Sequence, residues 1–249
     1  MARIALLSDV HGNLDALRSA LEDVSRVGAD VVVCLGDVVG YGPEPGECVD
    51  LVRESCDVVV RGNHDEAALS RKGLGRFNAG ARASAEFAYA RLSAAQKRVM
   101  LSWGARAEVM GLWVTHASFG KHEMEYVTTN GSAARSFGGV DAGLMAVGHT
   151  HIPSAFTCPE GEVREGEVRG YPLPSGPTIA LPSDRRVLVN PGSVGQPRDG
   201  NPEASWMLLD TGMRTAQVRR VAYDVEGVRE KIRAAGLPDG LGERLLVGA

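Results

Sequence analysis

Five short polar clusters in this chain stand at or just after the ends of apolar runs. They are Asp9-Val10-His11, Gly36-Asp37, Gly62-Asn63-His64-Asp65, His116 and Gly148-His149-Thr150-His151. The chain has 6 histidines, and all but His122 fall in these clusters, a sorting that a merely solvated surface would not produce. Asp, His and Asn make a mixed oxygen and nitrogen ligand set without thiolate. Such a set suits Mn, Fe, Zn, Co or Ni rather than an all-oxygen calcium cage. Along an extended chain, positions i and i+2 face the same side. Asp9 with His11, and His149 with His151, can then each aim two ligands into one pocket. The candidates are too many for one tetrahedral zinc and enough for two ions, which in hydrolytic sites stand roughly 3.5–4 Å apart. A bridging carboxylate would offset the repulsion between the ions, and Asp37 is the natural candidate.

Each residue also has an ordinary explanation. Asp9 alone reads as a helix N-cap, Asp37 as the end of a turn, and Gly62-Asn63 as an ordinary turn. His116 alone is more often a core histidine than a ligand. The ordered set outweighs these readings taken singly. His122, between Lys121 and Glu123, reads as surface. Tyr41 stands open between a substrate-facing ring and simple packing. Ser193 lacks the G-x-S-x-G pattern of an esterase nucleophile and reads as turn chemistry, with Asn190 capping that turn.

The elements that must position these clusters follow from periodicity. Arg3 to Ser8, Val31 to Leu35 and Val58 to Val60 read as buried strands, with helices from Leu14 to near Gly28 and from Cys48 to Ser55 between them. Strand–helix alternation gives a parallel sheet, and open α/β sheets gather ligands at the carboxyl ends of their strands. Asn78 to Trp103 reads as helical with a break at Ser93, an N-cap. Glu108 to Thr115 reads as a hairpin delivering His116, and Leu144 to Val147 as a strand delivering His149 and His151. Short strands follow around Phe156 and Val168, at Thr178 to Leu181 and Val187 to Val189, then at Ser205 to Leu209 and Gln217 to Val221. The Gly- and Pro-rich stretch 159–177 reads as a protruding hairpin or mobile loop, and 225–235 as a closing helix. The expected architecture is a single domain over 1–249. It is an α/β, four-layer α-β-β-α sandwich of two mixed sheets flanked by helices, the first largely parallel.

Composition narrows the function classes. A net charge of −4 and a pI near 5.9 argue against an extended nucleic-acid surface, and an aromatic content of 5% argues against base-stacking grooves. No apolar run approaches the roughly 18 residues of a spanning helix, and the N-terminus shows no cleavable signal pattern. The four cysteines form no C-x-x-C pair. The expected setting is a reducing cytoplasm, with no membrane partner and an open oligomeric state.

The ordered motifs D-x-H, G-D, G-N-H-D, H and G-H-T-H, from Asp9 to His151, resemble those of the calcineurin-like metallophosphoesterases. Similarity is nearest to that family's small prokaryotic phosphodiesterases, through 36–43 (GDVVGYGP) and 190–198 (NPGSVGQPR), and spans roughly residues 1–222. The resemblance implies two divalent metal ions, with Mn preferred and Fe, Zn, Ni or Co as substitutes. It implies that Asp9, His11 and His151 hold one ion and Asn63, His116 and His149 the other, with Asp37 bridging. A metal-bridging hydroxide would attack phosphorus, and His64 would protonate the leaving oxygen. Asp65 would orient His64 or stay structural. Asn63, Arg198 and Tyr41 are the expected substrate contacts.

The chain departs from the protein-phosphatase pattern G-D-x-x-D-R-G, since 36–42 reads GDVVGYG and lacks the arginine that grips phosphate. Arg198 is the candidate replacement. The expected activity is therefore phosphodiester hydrolysis. The rivals are a phosphomonoesterase acting on phosphoproteins or dinucleoside polyphosphates, and a non-catalytic scaffold. The scaffold would be expected to have lost a ligand or the acid, and here every position is filled.

Overall fold

β-Branched apolar runs pair side by side at the centre of the molecule, and each ends where a polar cluster begins. In the computed structural model, which describes residues 2–71, 73–122 and 124–249, β1 (Arg3–Leu7) pairs in parallel with β2 (Val31–Cys34), and β2 with β3 (Val58–Val59). The crossover helix α1 (Leu14–Val27) starts at Asn13, whose side chain accepts from the Ala16 amide, and ends at Gly28 with φ 78°. The second crossover, α2 (Pro45–Ser55), begins with proline at its first turn. It therefore starts ahead of the Cys48 start that periodicity indicates, because a proline there forfeits no helical hydrogen bond.

Three helices follow β3: α3 (Asn63–Ser70), α4 (Ala79–Arg91) and α5 (Ala94–Ser102). Ser93 and Gln96 cap α5 reciprocally, so the break expected there is a capping box. The hairpin β4 (Arg106–Val109) and β5 (Leu112–Thr115) opens a second sheet, and α6 (Asn130–Phe137) separates it from β6 (Leu144–Ala146). Then come β7 (Ser154–Pro159), β8 (Arg169–Pro172), β9 (Thr178–Ala180), β10 (Arg185–Asn190), β11 (Ala204–Asp210) and β12 (Thr215–Val221). The helices α7 (Val225–Ala234) and α8 (Gly240–Val247) close the chain.

Among the described residues, two six-stranded sheets have the orders β3-β2-β1-β11-β12-β9 and β4-β5-β6-β10-β7-β8. Both are mixed. The first is not largely parallel, as alternation over the first 60 residues implies, because β11 returns antiparallel beside β1 and brings β12 and β9 with it. The inner faces meet in a core that includes Ile4, Leu6, Val114, Ala146, Val187 and Met207. Outside the first sheet, α1 and α2 bury Leu17, Val24 and Val49 against Ala5 and Trp206. Outside the second, Phe137 of α6 packs on Met145 and Leu188. The layers are therefore α-β-β-α, with a thin outer layer over the second sheet.

The stretch 159–177 carries β8 at the edge of the second sheet and a bridge from Ser175 to Val218, so its latter part lies on the sandwich rather than projecting from it. Val228, Ile232, Leu241 and Leu245 of α7 and α8 pack with Tyr41 and with Ala81 of α4. Among the described residues, no helix is long and apolar enough to cross a membrane.

Candidate metal centre

The loops after β1, β2, β3, β5 and β6 meet at one end of the sandwich. Asp9, His11, Asp37, His116 and His151 are each at most 2% exposed, so the groups that converge there lie in a dry, low-dielectric setting. Six of the nine described non-glycine residues with positive φ belong to this place: Asp9 (54°), His11 (51°), Asp37 (52°), Tyr41 (58°), His149 (67°) and His151 (63°). The two D-x-H-type pairs thus do converge, though not by the alternation of an extended strand. Each residue of a pair takes a left-handed turn of the backbone, which is sparsely populated for residues with a Cβ. Close backbone approach matters as well. A Cβ on Gly148 would fall 1.9 Å from Ser8 Oγ, and one on Gly62 would fall 2.1 Å from Asp37 Oδ1.

Hydrogen bonds around the imidazoles assign their tautomers. His11 Nδ1 faces the Val39 carbonyl at 3.2 Å, His116 Nδ1 faces Leu35 O at 2.8 Å, and His151 Nδ1 faces Gln196 O at 2.6 Å. Each Nδ1 therefore donates, which leaves Nε2 bare on each ring in its neutral form, the form that binds a metal. These bare nitrogens point at one another and at carboxylates. His11 Nε2 lies 3.1 Å from His151 Nε2, and Asp9 Oδ1 lies 3.1 Å from His151 Nε2 and 3.7 Å from His11 Nε2. Across the site, His116 Nε2 lies 3.2 Å from both Asp37 Oδ2 and His149 Nδ1. Asp9 Oδ1 and Asn63 Oδ1 are buried without a hydrogen-bond partner. Acceptors facing acceptors in a dry pocket are satisfied by cations, so the residues fit divalent metal ions.

The possible ligand atoms form three overlapping groups, each within 4.8 Å: Asp9/His11/His151, His11/Asp37/His64 and Asp37/His116/His149. Asp37 stands between the outer two. Its Oδ2 is 3.2 Å from His116 and 3.9 Å from His11, and its Oδ1 accepts from the His64 amide at 2.8 Å.

The electrostatics follow from crowding. Burial alone would raise the Asp9 and Asp37 carboxyls, but the histidines around them hold both below the usual carboxylate range. Burial and neighbouring histidines push His11 well down, and push His149 down to about 3. His116 goes the other way. Burial disfavours its charge, but Asp37 and Asp9 more than compensate and raise it to about 10. Burial lowers His64 to about 4 against the pull of Asp37, so in the free protein its ring is neutral at pH 7.

His64 sits at the start of α3, with its ring centroid 4.9 Å from His11, 4.5 Å from Tyr41 and 4.6 Å from Phe77. Its Nδ1 is buried without a protein partner. Of the two roles open to Asp65, its bonds are those of a backbone clamp and not of an orienter. Its carboxylate accepts from the amides of Asp37 (2.9 Å), Val39 (3.1 Å) and Gly62 (2.9 Å), so it ties the loop after β2 to the start of α3. Burial and the nearby Asp37 charge raise it to about 7. Tyr41 is 7% exposed, and its ring packs against both His11 and His64. The Arg198 guanidinium lies 5.9 Å over the Tyr41 ring and donates to Gln196 Oε1, while its Nε is buried without a partner.

A family model for the calcineurin-like phosphoesterase superfamily domain matches residues 2–214. The chain belongs to that superfamily. As a calcineurin-like phosphoesterase it is a metal-dependent enzyme acting on phosphate esters. A metallophosphoesterase from Sphaerobacter thermophilus has a similar structure, with TM-score 0.86 and 37% identity over 99% of both chains. An uncharacterised protein of Methanocaldococcus jannaschii is 36% identical over 98% of each chain. The phosphodiesterase YfcE of Escherichia coli is 25% identical over 84% of this chain and 88% of its own.

Three features of this calcineurin-like site escape sequence reasoning. The 190–196 segment is a strap as well as a turn. Asn190 Nδ2 donates to Gly148 O and Thr150 Oγ1, Ser193 Oγ donates to Asp9 O, and Gln196 O receives His151. Ser8 Oγ donates to Asp9 Oδ2 at 2.6 Å, and the His149 amide donates to the same oxygen at 2.9 Å. Tyr126 stacks on His149 at 4.0 Å. Only the recurrence of Ser and Asn near the motifs hints at the first two in the sequence, and nothing there announces the third.

Proposed function

We propose that this phosphoesterase hydrolyses a small phosphodiester at a two-ion centre, with His64 donating a proton to the leaving oxygen. In this reading Asp9, His11 and His151 hold one ion, Asn63, His116 and His149 hold the other, and Asp37 lies between them. Manganese is the preferred metal. When bound, the ions supply Lewis-acid activation of water and of the phosphoryl oxygens. The observation that carries the assignment of His64 is its unpartnered, buried Nδ1, on a ring wedged among His11, Tyr41 and Phe77 beside Asp37.

Residues of the chain then divide the remaining work. The Asp65 clamp holds the loop after β2 to the start of α3, and the bond from the His64 amide to Asp37 Oδ1 fixes His64 beside the phosphate position. His64 would supply the proton that the leaving oxygen takes up. Arg198, with an unpaired Nε, binds a phosphoryl oxygen in place of the arginine that 36–42 lacks. Diester preference is supported by that missing arginine and by the likeness to a phosphodiesterase of Escherichia coli.

The test is metal-stripped protein reloaded with Mn²⁺ and assayed on bis-p-nitrophenyl phosphate and p-nitrophenyl phosphate. The diester should be cleaved faster. His64→Ala should lose on the order of 10²–10⁴-fold in kcat with metal content unchanged, and Arg198→Ala on the order of 10²–10³-fold. Cleavage of the monoester alone would overturn the diester assignment, and a His64→Ala variant within about threefold of wild type would remove the acid role.

A further inference from the structure

Tyr126 lies on the loop between β5 and α6, and its ring is stacked on His149 at 4.0 Å and 25° between planes. Half of the residue (50%) nevertheless remains exposed. One face therefore covers a candidate metal ligand while half of the residue is open to solvent. Directly after it in the chain, Val127 lines a cavity of about 290 Å³. Thr150 and Ile152, which flank His151, line the same cavity together with Tyr171, and Thr128 and Asn130 add polar groups. Ile152 is itself 39% exposed. The cavity wall thus draws on the loop that carries His149 and His151 and on the loop after His116, which also carries the exposed ring. An apolar cavity with a few polar groups beside a charged site is the usual form of a small-molecule site.

The geometry points to Tyr126 and this cavity as the subsite for the organic group of the phosphoester, and to a planar aromatic ring, stacked on the open face of Tyr126, as the group it takes. The inference rests on the phosphoesterase reading, which puts the phosphate at the ions. A ligand whose phosphate sits there has its ester oxygens within a few bonds of His149, so its substituent runs over Tyr126. A planar ring extends the His149–Tyr126 stack by one member. An alkyl group of the same charge offers no such face. The volume is at the lower end of the roughly 300–1,000 Å³ of small-molecule pockets, enough for one ring and its attachments and not for a protein segment.

Two ligands that share the same headgroup isolate the ring. Binding of benzylphosphonate and ethylphosphonate to metal-loaded protein is measured by calorimetry for wild type, Tyr126→Phe and Tyr126→Ala. Wild type and Tyr126→Phe should favour the benzyl ligand by about tenfold or more, as expected for aromatic stacking. Tyr126→Ala should lose that preference while binding ethylphosphonate as wild type does. If Tyr126 only props the His149 ring, Tyr126→Ala will weaken both ligands equally and lower metal content, and the subsite is refuted. An unchanged benzyl preference in Tyr126→Ala refutes it too, and leaves the phosphoesterase reading standing. Failure of metal-loaded wild type to bind either phosphonate would sink that reading and the subsite with it.

Discussion

Gly62→Ala puts the close packing of the centre to a direct test. Gly62 has φ −97° and ψ 179°, a conformation alanine adopts freely, so the backbone itself raises no objection. The obstacle is what a methyl group would meet: Asp37 Oδ1 at 2.1 Å, Asp37 N at 2.5 Å and Asp37 Cγ at 2.7 Å. The carboxylate between the two ligand groups would have to retreat by more than about 1 Å, a displacement that costs on the order of 10²-fold in rate. Its bond from the His64 amide would break in the same movement, which carries the error to the proposed acid. Overpacking of this kind costs about 1–3 kcal/mol, or a Tm lowered by roughly 2–10 °C in a chain of this size. The assay is metal content by mass spectrometry, kcat/KM on bis-p-nitrophenyl phosphate, and Tm. Gly143→Ala is the control, since nothing lies within 4 Å of the Cβ it would add. A Gly62→Ala protein with full metal content and kcat/KM within about threefold of that control would refute the claim that this contact positions Asp37.

Two further outcomes follow from the charges. Asp23, 3% exposed, accepts from Arg219, Arg26 and Trp206 Nε1, and the Arg219 bond holds its carboxyl below the ordinary range. Asp23→Ala should cost about 1–3 kcal/mol at neutral pH in urea unfolding, since the buried Trp206 Nε1 loses its acceptor while the arginines reach solvent. Because the folded pKa is depressed, the gap between wild type and variant should close as pH falls below about 4; a gap that persists in acid would contradict the ion-pair account. His116, raised to about 10, carries a proton in the metal-free protein at pH 8, and a metal ligand must be neutral. Metal loading at pH 8 should therefore release about one proton from it. Titration calorimetry in buffers of different ionisation enthalpy reads that number, and proton uptake would show the assignment wrong.

Much of this molecule is legible in the sequence because its strands are short β-branched runs with polar ends. Val31 to Cys34 can do little but be a buried strand, and Asp37 two residues past Leu35 has nowhere to be but its carboxyl end. Ser93 with Gln96, and Asn13 before Leu14, announce their helices by local chemistry. What stays hidden is decided by distant partners. Gly62-Asn63 taken alone reads as a turn, yet Asn63 opens α3 because the Asp65 carboxylate collects amides from both ends of the loop. The antiparallel return of β11 beside β1 links residues about 200 apart, and alternation near the N-terminus carries no information about it. The helix α8 had a signal in Leu241 and Leu245, but only against Tyr41 does that spacing acquire a meaning. The D-x-H and G-H-T-H pairs converge as their i, i+2 spacing implies, but by left-handed turns of the backbone instead of strand alternation.

For a residue with a Cβ, the left-handed backbone region costs roughly 1–2 kcal/mol, and Asp9, His11, Asp37, His149 and His151 all occupy it. The fold holds these ligands in a conformation that none would choose alone, so the site is assembled by the surrounding packing before any ion arrives. Ions that draw the same residues together offset that cost, and metal binding and folding are thereby linked: the loaded protein should be the more stable form.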